Sequence, residues 1–311
     1  MVGHNAAAFF QCIPYDKLNT RAGRSPIAYT SWGLLPIYWK LFGHVSALET
    51  LCHRIFWSFA LALLIYACTR KHQYPLHLLF RRKTLLSLVG TSTLLACNWL
   101  LYVWAINSDH VIDTSLGYFI TPLLAVLLGV VVLKEKMQPL QWLSTAIAAS
   151  GVLYMTIALG QFPWIAIGLA ASFGIYTLLR KISQAPALEA LLMEMGILSV
   201  PSLMIIFLLH GQGKALFLAS TSTSSLLIGA GLVTLAPLLL YISGAREISL
   251  TTVGLLQYIS PIINFLLGVF LYKEDFPLAQ QRGFVFIWLA LLIFSFDQIR
   301  RSMQKNRQTL Q

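Results

Sequence analysis

Two stretches decide the architecture: LGYFITPLLAVLLGVVVLKEK at 116–136 and LLQYISPIINFLLGVFLYKED at 255–275. Displaced by 139 residues, they place Pro122 on Pro261, Gly129 on Gly268, and Lys134-Glu135 on Lys273-Glu274. Nine of the twenty positions from 116 to 135 are identical. Each stretch is apolar over roughly the 20 residues that a helix rising ~1.5 Å per residue needs to cross a ~30 Å hydrocarbon core. The likeness extends outward. LLY at 100–102 matches LLY at 239–241, and ALETLCHRIFW at 47–57 matches ALEALLMEMGI at 187–197 at a displacement of 140. In that second pairing Arg54 stands opposite Glu194.

The rest of the chain has the same character. Of its 311 residues 57% are hydrophobic and 11% charged, with a mean hydropathy of +0.72. A soluble domain carries about 25% charged residues, so soluble readings fall away. Apolar stretches of spanning length run over 26–43, 49–69, 84–106, 110–133, 139–158, 162–180, 187–210, 224–244, 249–272 and 278–299. Lipid cannot satisfy open backbone groups, and no alternating barrel pattern is present, so the expected fold is all-α and membrane-integral. The expected organisation is a cytoplasmic lead at 1–25, five-helix repeats at 26–158 and 162–299, and a basic tail at 300–311.

Five helices per repeat is an odd number, so the second copy must enter the membrane upside down. Loop charges agree. With the N-terminus inside, seventeen Lys and Arg fall in inner segments and four outside, while Arg54 lies within a span; together these are all 22. Lys134 is then inside and its match Lys273 outside, and both termini are cytoplasmic. The net charge of +11 is thereby a topology signal rather than a nucleic-acid patch. Inverted repeats with a site near the bilayer midplane are a transporter architecture, because exchanging the conformations of the halves alternates access.

Polar residues then locate a candidate cavity. Thr114, Tyr118, Thr121 and Ala125 share one helix face; Val253, Gln257, Ser260 and Asn264 share its repeat. Asn98 with Tyr102, and Thr234 with Tyr241, add faces from neighbouring spans. Polar groups turned to lipid would be unpaired, so these faces should point inward. Trp99, Trp104 and Tyr258 would supply aromatic walls. The competing reading of Ser, Thr and Asn is interhelical bonding, worth about 0.6–2 kcal/mol each. Pro122 and Pro261 read as kinks, and Gly129 and Gly268 as close-packing points. Glu49 and Glu189 open helices, where a carboxylate complements the dipole. Lys134-Glu135 and Lys273-Glu274 end helices at the surface, as exposed charge or as a latch between helix ends.

Arg54 shares a face with Thr50 and Ser58. It is expected to line the outer part of the cavity, to attract an anionic group or to pair with a carboxylate such as Asp113. Snorkelling to the surface is the alternative. His53 reads as a structural neighbour.

Other function classes find less support. Cys12, Cys52, Cys68 and Cys97 have neither metal nor redox spacing, and read as small apolar residues. No cofactor or metal is expected. No phosphate-binding Gly-x4-Gly-Lys loop is present, so ATP cannot drive the chain directly. An enzyme would need carboxylates or histidines converging at one depth, and Asp113, Glu194 and Asp297 are scattered. A channel or non-transporting protein would not need inverted repeats with matched polar faces.

The motifs WGLLPIYWK (32–40), ALETLCHRIFWS (47–58), NWLLYVWAI (98–106), SLGYFITPLLAVLLG (115–129) and GLLQYISPIINFLLG (254–268) together resemble the RarD subgroup of EamA-type drug/metabolite transporters. The resemblance runs over residues 28–299. It implies ten helices, two inverted repeats, a central cavity and a permease of the bacterial inner membrane. Its historical tie is to chloramphenicol sensitivity, and the transported substrate is not fixed by it. The first apolar run departs from the family in being only about 18 residues long, with Gly33 and Pro36 inside it. The expected partners are a small-molecule substrate and the lipid bilayer, with no nucleic acid; a homodimer is compatible with this reading.

Overall fold

The computed structural model describes residues 24–42, 45–68, 79–108, 110–160, 162–183, 185–273 and 278–309, and within them every regular element is helical. In chain order α1 is Arg24–Trp39, α2 Ala47–Cys68, α3 Arg82–Asn107, α4 Val111–Val131, α5 Pro139–Leu159 and α6 Trp164–Ile182. Then come α7 Ala187–Gly211, α8 Thr221–Ala245, α9 Leu250–Gln257, α10 Ile259–Leu266 and α11 Leu278–Thr309. The helices α2, α3, α5, α6, α7 and α8 are long and apolar enough to cross a membrane, and Leu116–Val131 of α4 is a shorter apolar helix. Most of the lead at 1–25 lies outside the described residues, with α1 starting at Arg24; the stretch read as a basic tail continues α11 to Thr309.

Local chemistry fixes the helix ends. Pro139 occupies the first position of α5, where its missing N–H costs nothing. Gln138 and Gln141 form a reciprocal capping box there, and Gly160 closes the helix at φ 72°. Ser220 caps α8 by accepting the Thr223 N–H at 3.1 Å.

The stretch 249–272 is a distorted helix, tightened to a turn at the single residue Tyr258, which keeps helical dihedrals of φ −65° and ψ −16°. α9 stops at Gln257, α10 starts at Ile259, and a π-turn at Leu267–Leu271, which includes Gly268, follows. Pro261 has no N–H to donate to the Gln257 carbonyl four residues back, and its ring crowds that carbonyl. Pro122, its match, lies within an unbroken α4.

The two matched stretches end in the same way. Leu133 N–H donates to the Leu128 carbonyl at 3.3 Å, and Tyr272 N–H donates to the Leu267 carbonyl at 2.9 Å. The next residues, Lys134 and Lys273, are left-handed at φ 54° and 53°. A lysine pays roughly 1–2 kcal/mol for that conformation, so its recurrence 139 residues apart marks a shared way of terminating the helix.

The chain divides into two compact units. Unit one takes the described parts of Met1–Trp99 and Leu179–Ile248; unit two takes those of Leu100–Leu178 and Ser249–Gln311. Two of the boundaries fall inside α3 and α6, and the third between α8 and α9. In unit one, α2 packs on α7 and α8, and α1 packs on α8. The α2–α8 crossing depends on Gly231: a Cβ there would lie 2.5 Å from the Trp57 carbonyl carbon. Ser58 Oγ donates to the Gly231 carbonyl across the same crossing at 3.0 Å.

In unit two, α4 packs on α9 and α5 packs on α11. Gly254 brings α9 against α4, where a Cβ would meet the Pro122 carbonyl oxygen at 2.6 Å. Leu116, Phe119, Val126, Val152, Met155, Leu255 and Ile287 form the buried core of this unit. Leu64, Leu153, Ile157, Phe207, Leu292 and Phe296 are exposed apolar side chains on four different helices. Such a surface suits lipid rather than water.

Candidate functional site

Unit one holds Arg54, Asn98, Thr234 and Tyr241; unit two holds Tyr102, Tyr118, Thr121, Gln257, Tyr258 and Ser260.

In unit one α2 carries Arg54 to two indole faces. Its guanidinium carbon lies 4.3 Å from the ring centroid of Trp99 and 5.4 Å from that of Trp39. For a half-buried arginine such cation–π contacts contribute about 0.5–2 kcal/mol each, which offsets part of the cost of about 2.5–3.5 kcal/mol for an arginine at a helix centre. Stacking also leaves the N–H groups in the guanidinium plane, oriented for a planar oxyanion. Tyr241 is fully buried and packs with Trp32 and Tyr29 at centroid distances of 5.1 and 5.7 Å. Thr234 is buried, and its hydroxyl has no hydrogen-bond partner among the described residues. Asn98 is half-buried.

His53 accepts the Trp57 indole N–H on Nδ1 at 3.2 Å and packs on Phe217 at 4.5 Å, so its ring is wedged between neighbours. Glu49 does more than complement its own helix. Its Oε1 accepts the backbone N–H groups of Leu216 and Phe217 at 2.8 and 2.9 Å.

In unit two Gln257 is the outstanding group. It is buried, is the last residue of α9, and neither end of its amide makes a hydrogen bond among the described residues. An unsatisfied buried donor or acceptor costs about 1–3 kcal/mol. Asn264, seven residues on along the expected stripe, also has an unpaired Oδ1 among the described residues. Ser260, between them, is half-buried. Tyr258 is fully buried, and its hydroxyl donates to the Phe119 carbonyl at 3.1 Å, which ties α4 to the turn. Tyr118 is exposed and lies edge-to-face with Tyr102 at 6.2 Å. Thr121 donates to the Gly117 carbonyl of its own helix at 2.7 Å.

Two charged groups carry more than the sequence suggested. Glu135 clamps the start of α9: Oε1 accepts from Leu250 N–H at 2.7 Å and Oε2 from Thr251 N–H at 2.9 Å. Ser249 Oγ takes the Thr252 N–H at 3.1 Å, and Val253 N–H bonds the Ser249 carbonyl, so all four leading donors of α9 are satisfied. Gly129 makes room for the clamp, since a Cβ there would lie 2.8 Å from Glu135 Oε2. Its match Glu274 lies outside the described residues. Arg180, one of the seventeen basic residues assigned to the inner side, is 2% exposed and faces Glu194. A signal for it existed: Arg180 stands seven residues before Ala-Leu-Glu in the second repeat, as Lys40 does in the first.

Among the described residues, a largely apolar, all-helical surface with six helices long and apolar enough to span defines the class: an integral membrane protein. The particular family follows. The EamA-like transporter family matches residues 27–157 and 163–296, and the chain belongs to it as a RarD-type member. Among its relatives, an uncharacterized transporter of Vibrio cholerae is 41% identical over 88% of this chain and 91% of its own length. Protein RarD of Escherichia coli is 38% identical over 91% and 97% respectively. A chloramphenicol-sensitive protein RarD of Pseudomonas aeruginosa is 29% identical over 86% and 90%. A solved crystal structure shares the fold at a TM-score of 0.66 with 16% identity, covering 88% of this chain and 96% of the other. Family and names point to transporters, not enzymes.

Proposed function

We propose that this protein is a secondary transporter of a small organic metabolite or drug-like amphiphile, working by alternating access across the bacterial inner membrane. The architecture proposed is ten spanning helices in two inverted five-helix repeats, with both termini cytoplasmic. The observation that carries the proposal is the buried amide of Gln257, unpaired among the described residues, at the last residue before the turn in the ninth span. Secondary transporters place solute sites at irregular points of spanning helices, where a polar side chain can meet a solute instead of lipid. The identical turns ending in Lys134 and Lys273 support the repeat. Arg54 and Thr234 are the corresponding candidates in unit one.

The test is uptake by purified protein in proteoliposomes from a mixed metabolite pool that includes chloramphenicol, the compound in the Pseudomonas relative's name. Replacing Gln257 with Leu is expected to lower uptake per folded molecule about tenfold, the equivalent of one hydrogen bond of ~1.4 kcal/mol. A lower yield of folded protein with unchanged uptake per molecule would instead make Gln257 a packing residue.

A further inference from the structure

Arg180 sits in the last turn of α6 and is 2% exposed. Its nearest carboxylate oxygen, Glu194 Oε1 on α7, lies 3.7 Å from Nε, beyond hydrogen-bond reach. That oxygen accepts the Thr91 hydroxyl of α3 at 2.5 Å. None of the three Arg180 nitrogens makes a hydrogen bond among the described residues. A second guanidinium stands close by. Arg246, which follows α8, is held through Nη1 by the Ala185 carbonyl at 2.9 Å. Burial, and then the Arg180 charge, lower its pKa, against an opposing pull from exposed Glu247. Lys181 is engaged with the Ala245 and Ile248 carbonyls. All these residues belong to unit one.

A buried guanidinium costs several kcal/mol unless it is closely paired and its donors are satisfied. Here one long contact reaches Nε, and the two Nη groups have no acceptor among the described residues. Those two groups form the fork that binds a carboxylate or phosphate through paired hydrogen bonds. We propose that Arg180 receives an oxyanion of the transported molecule, a carboxylate or a phosphate group, and that Glu194 and Thr91 hold the guanidinium in position when the oxyanion is absent. This rests on the transporter reading and names its substrate class. In the inverted topology Arg54 lies toward the periplasm and Arg180 toward the cytoplasm. Each side of the membrane then offers one guanidinium to the same anionic group.

The test uses the purified full-length chain in detergent and reads its thermal unfolding midpoint at fixed ionic strength. The probes are benzoate, phenyl phosphate and the neutral benzyl alcohol. One of the two acids is expected to raise the midpoint by about 3 °C at tenfold saturation, and the alcohol to leave it unmoved. Which acid acts separates carboxylate from phosphate. Arg180→Gln should remove the shift and Arg180→Lys keep part of it. Glu194→Gln, which frees the guanidinium, should enlarge it, and carries the test if Arg180→Gln does not fold. No shift with either acid, an equal shift in Arg180→Gln, or no gain in Glu194→Gln would overturn the proposal. Uptake of a neutral solute without any acid shift sinks this inference and leaves the transporter reading; an Arg180-dependent shift in a protein that moves no solute does the reverse.

Discussion

Arg54→Gln will abolish uptake of an identified substrate while leaving membrane expression near wild type. The guanidinium is stacked on Trp99 and Trp39. Glutamine fills part of the space between the indoles but offers neither charge nor a planar fork. An anionic substrate would lose a charge-assisted bidentate contact worth about 1.5–3 kcal/mol in affinity. Arg54→Lys keeps the charge as a point and should retain a fraction of the rate, because an ammonium stacks and pairs less well than a guanidinium. Uptake kinetics of Arg54→Gln, normalised to folded protein, decide the matter. Wild-type kinetics would mean that the charge serves only to anchor the helix.

The second large effect is on stability. Glu135→Ala removes both acceptors from the first two N–H groups of α9, whose remaining leading donors depend on Ser249. Losing a charged cap of this kind costs about 1.5–3 kcal/mol. The thermal unfolding midpoint of the purified protein should fall by several degrees, and Glu135→Gln, which keeps one acceptor oxygen, should fall less. An unchanged midpoint in Glu135→Ala would show that water replaces the carboxylate without loss.

The helical, membrane-integral nature of the chain was open to reading because ~20-residue apolar runs admit few other structures. The likeness between 116–136 and 255–275 was also plain, and its turns at Lys134 and Lys273 repeat to within a degree in φ. The turn after Gln257 was only half legible. Pro261 announces a disturbance, yet Pro122 in the same register leaves α4 whole. Thr121 and Thr234 look alike in sequence, but one hydroxyl is turned onto its own helix and the other has no partner among the described residues. Rotamer and neighbours decide that, and neither is written in local spacing.

Arg180 was misleading for a different reason. Beside Lys181 in a short connection it reads as topology charge, and the partner it faces, Glu194, lies on another helix. Glu135 likewise spends its carboxylate on backbone 115 and 116 residues away.

Inversion of the two repeats is the claim on which alternating access depends. It is tested most directly by placing a cysteine at Lys134 and, separately, at Lys273 in a chain stripped of its four native cysteines. Both positions have the same left-handed turn, so their intrinsic accessibility to a membrane-impermeant maleimide is matched. In intact cells the Lys273→Cys protein should be labelled and the Lys134→Cys protein should be protected until the membrane is permeabilised. Labelling of both from outside, or of Lys134→Cys alone, would contradict the inverted topology and, with it, alternating access by exchange of the two repeats.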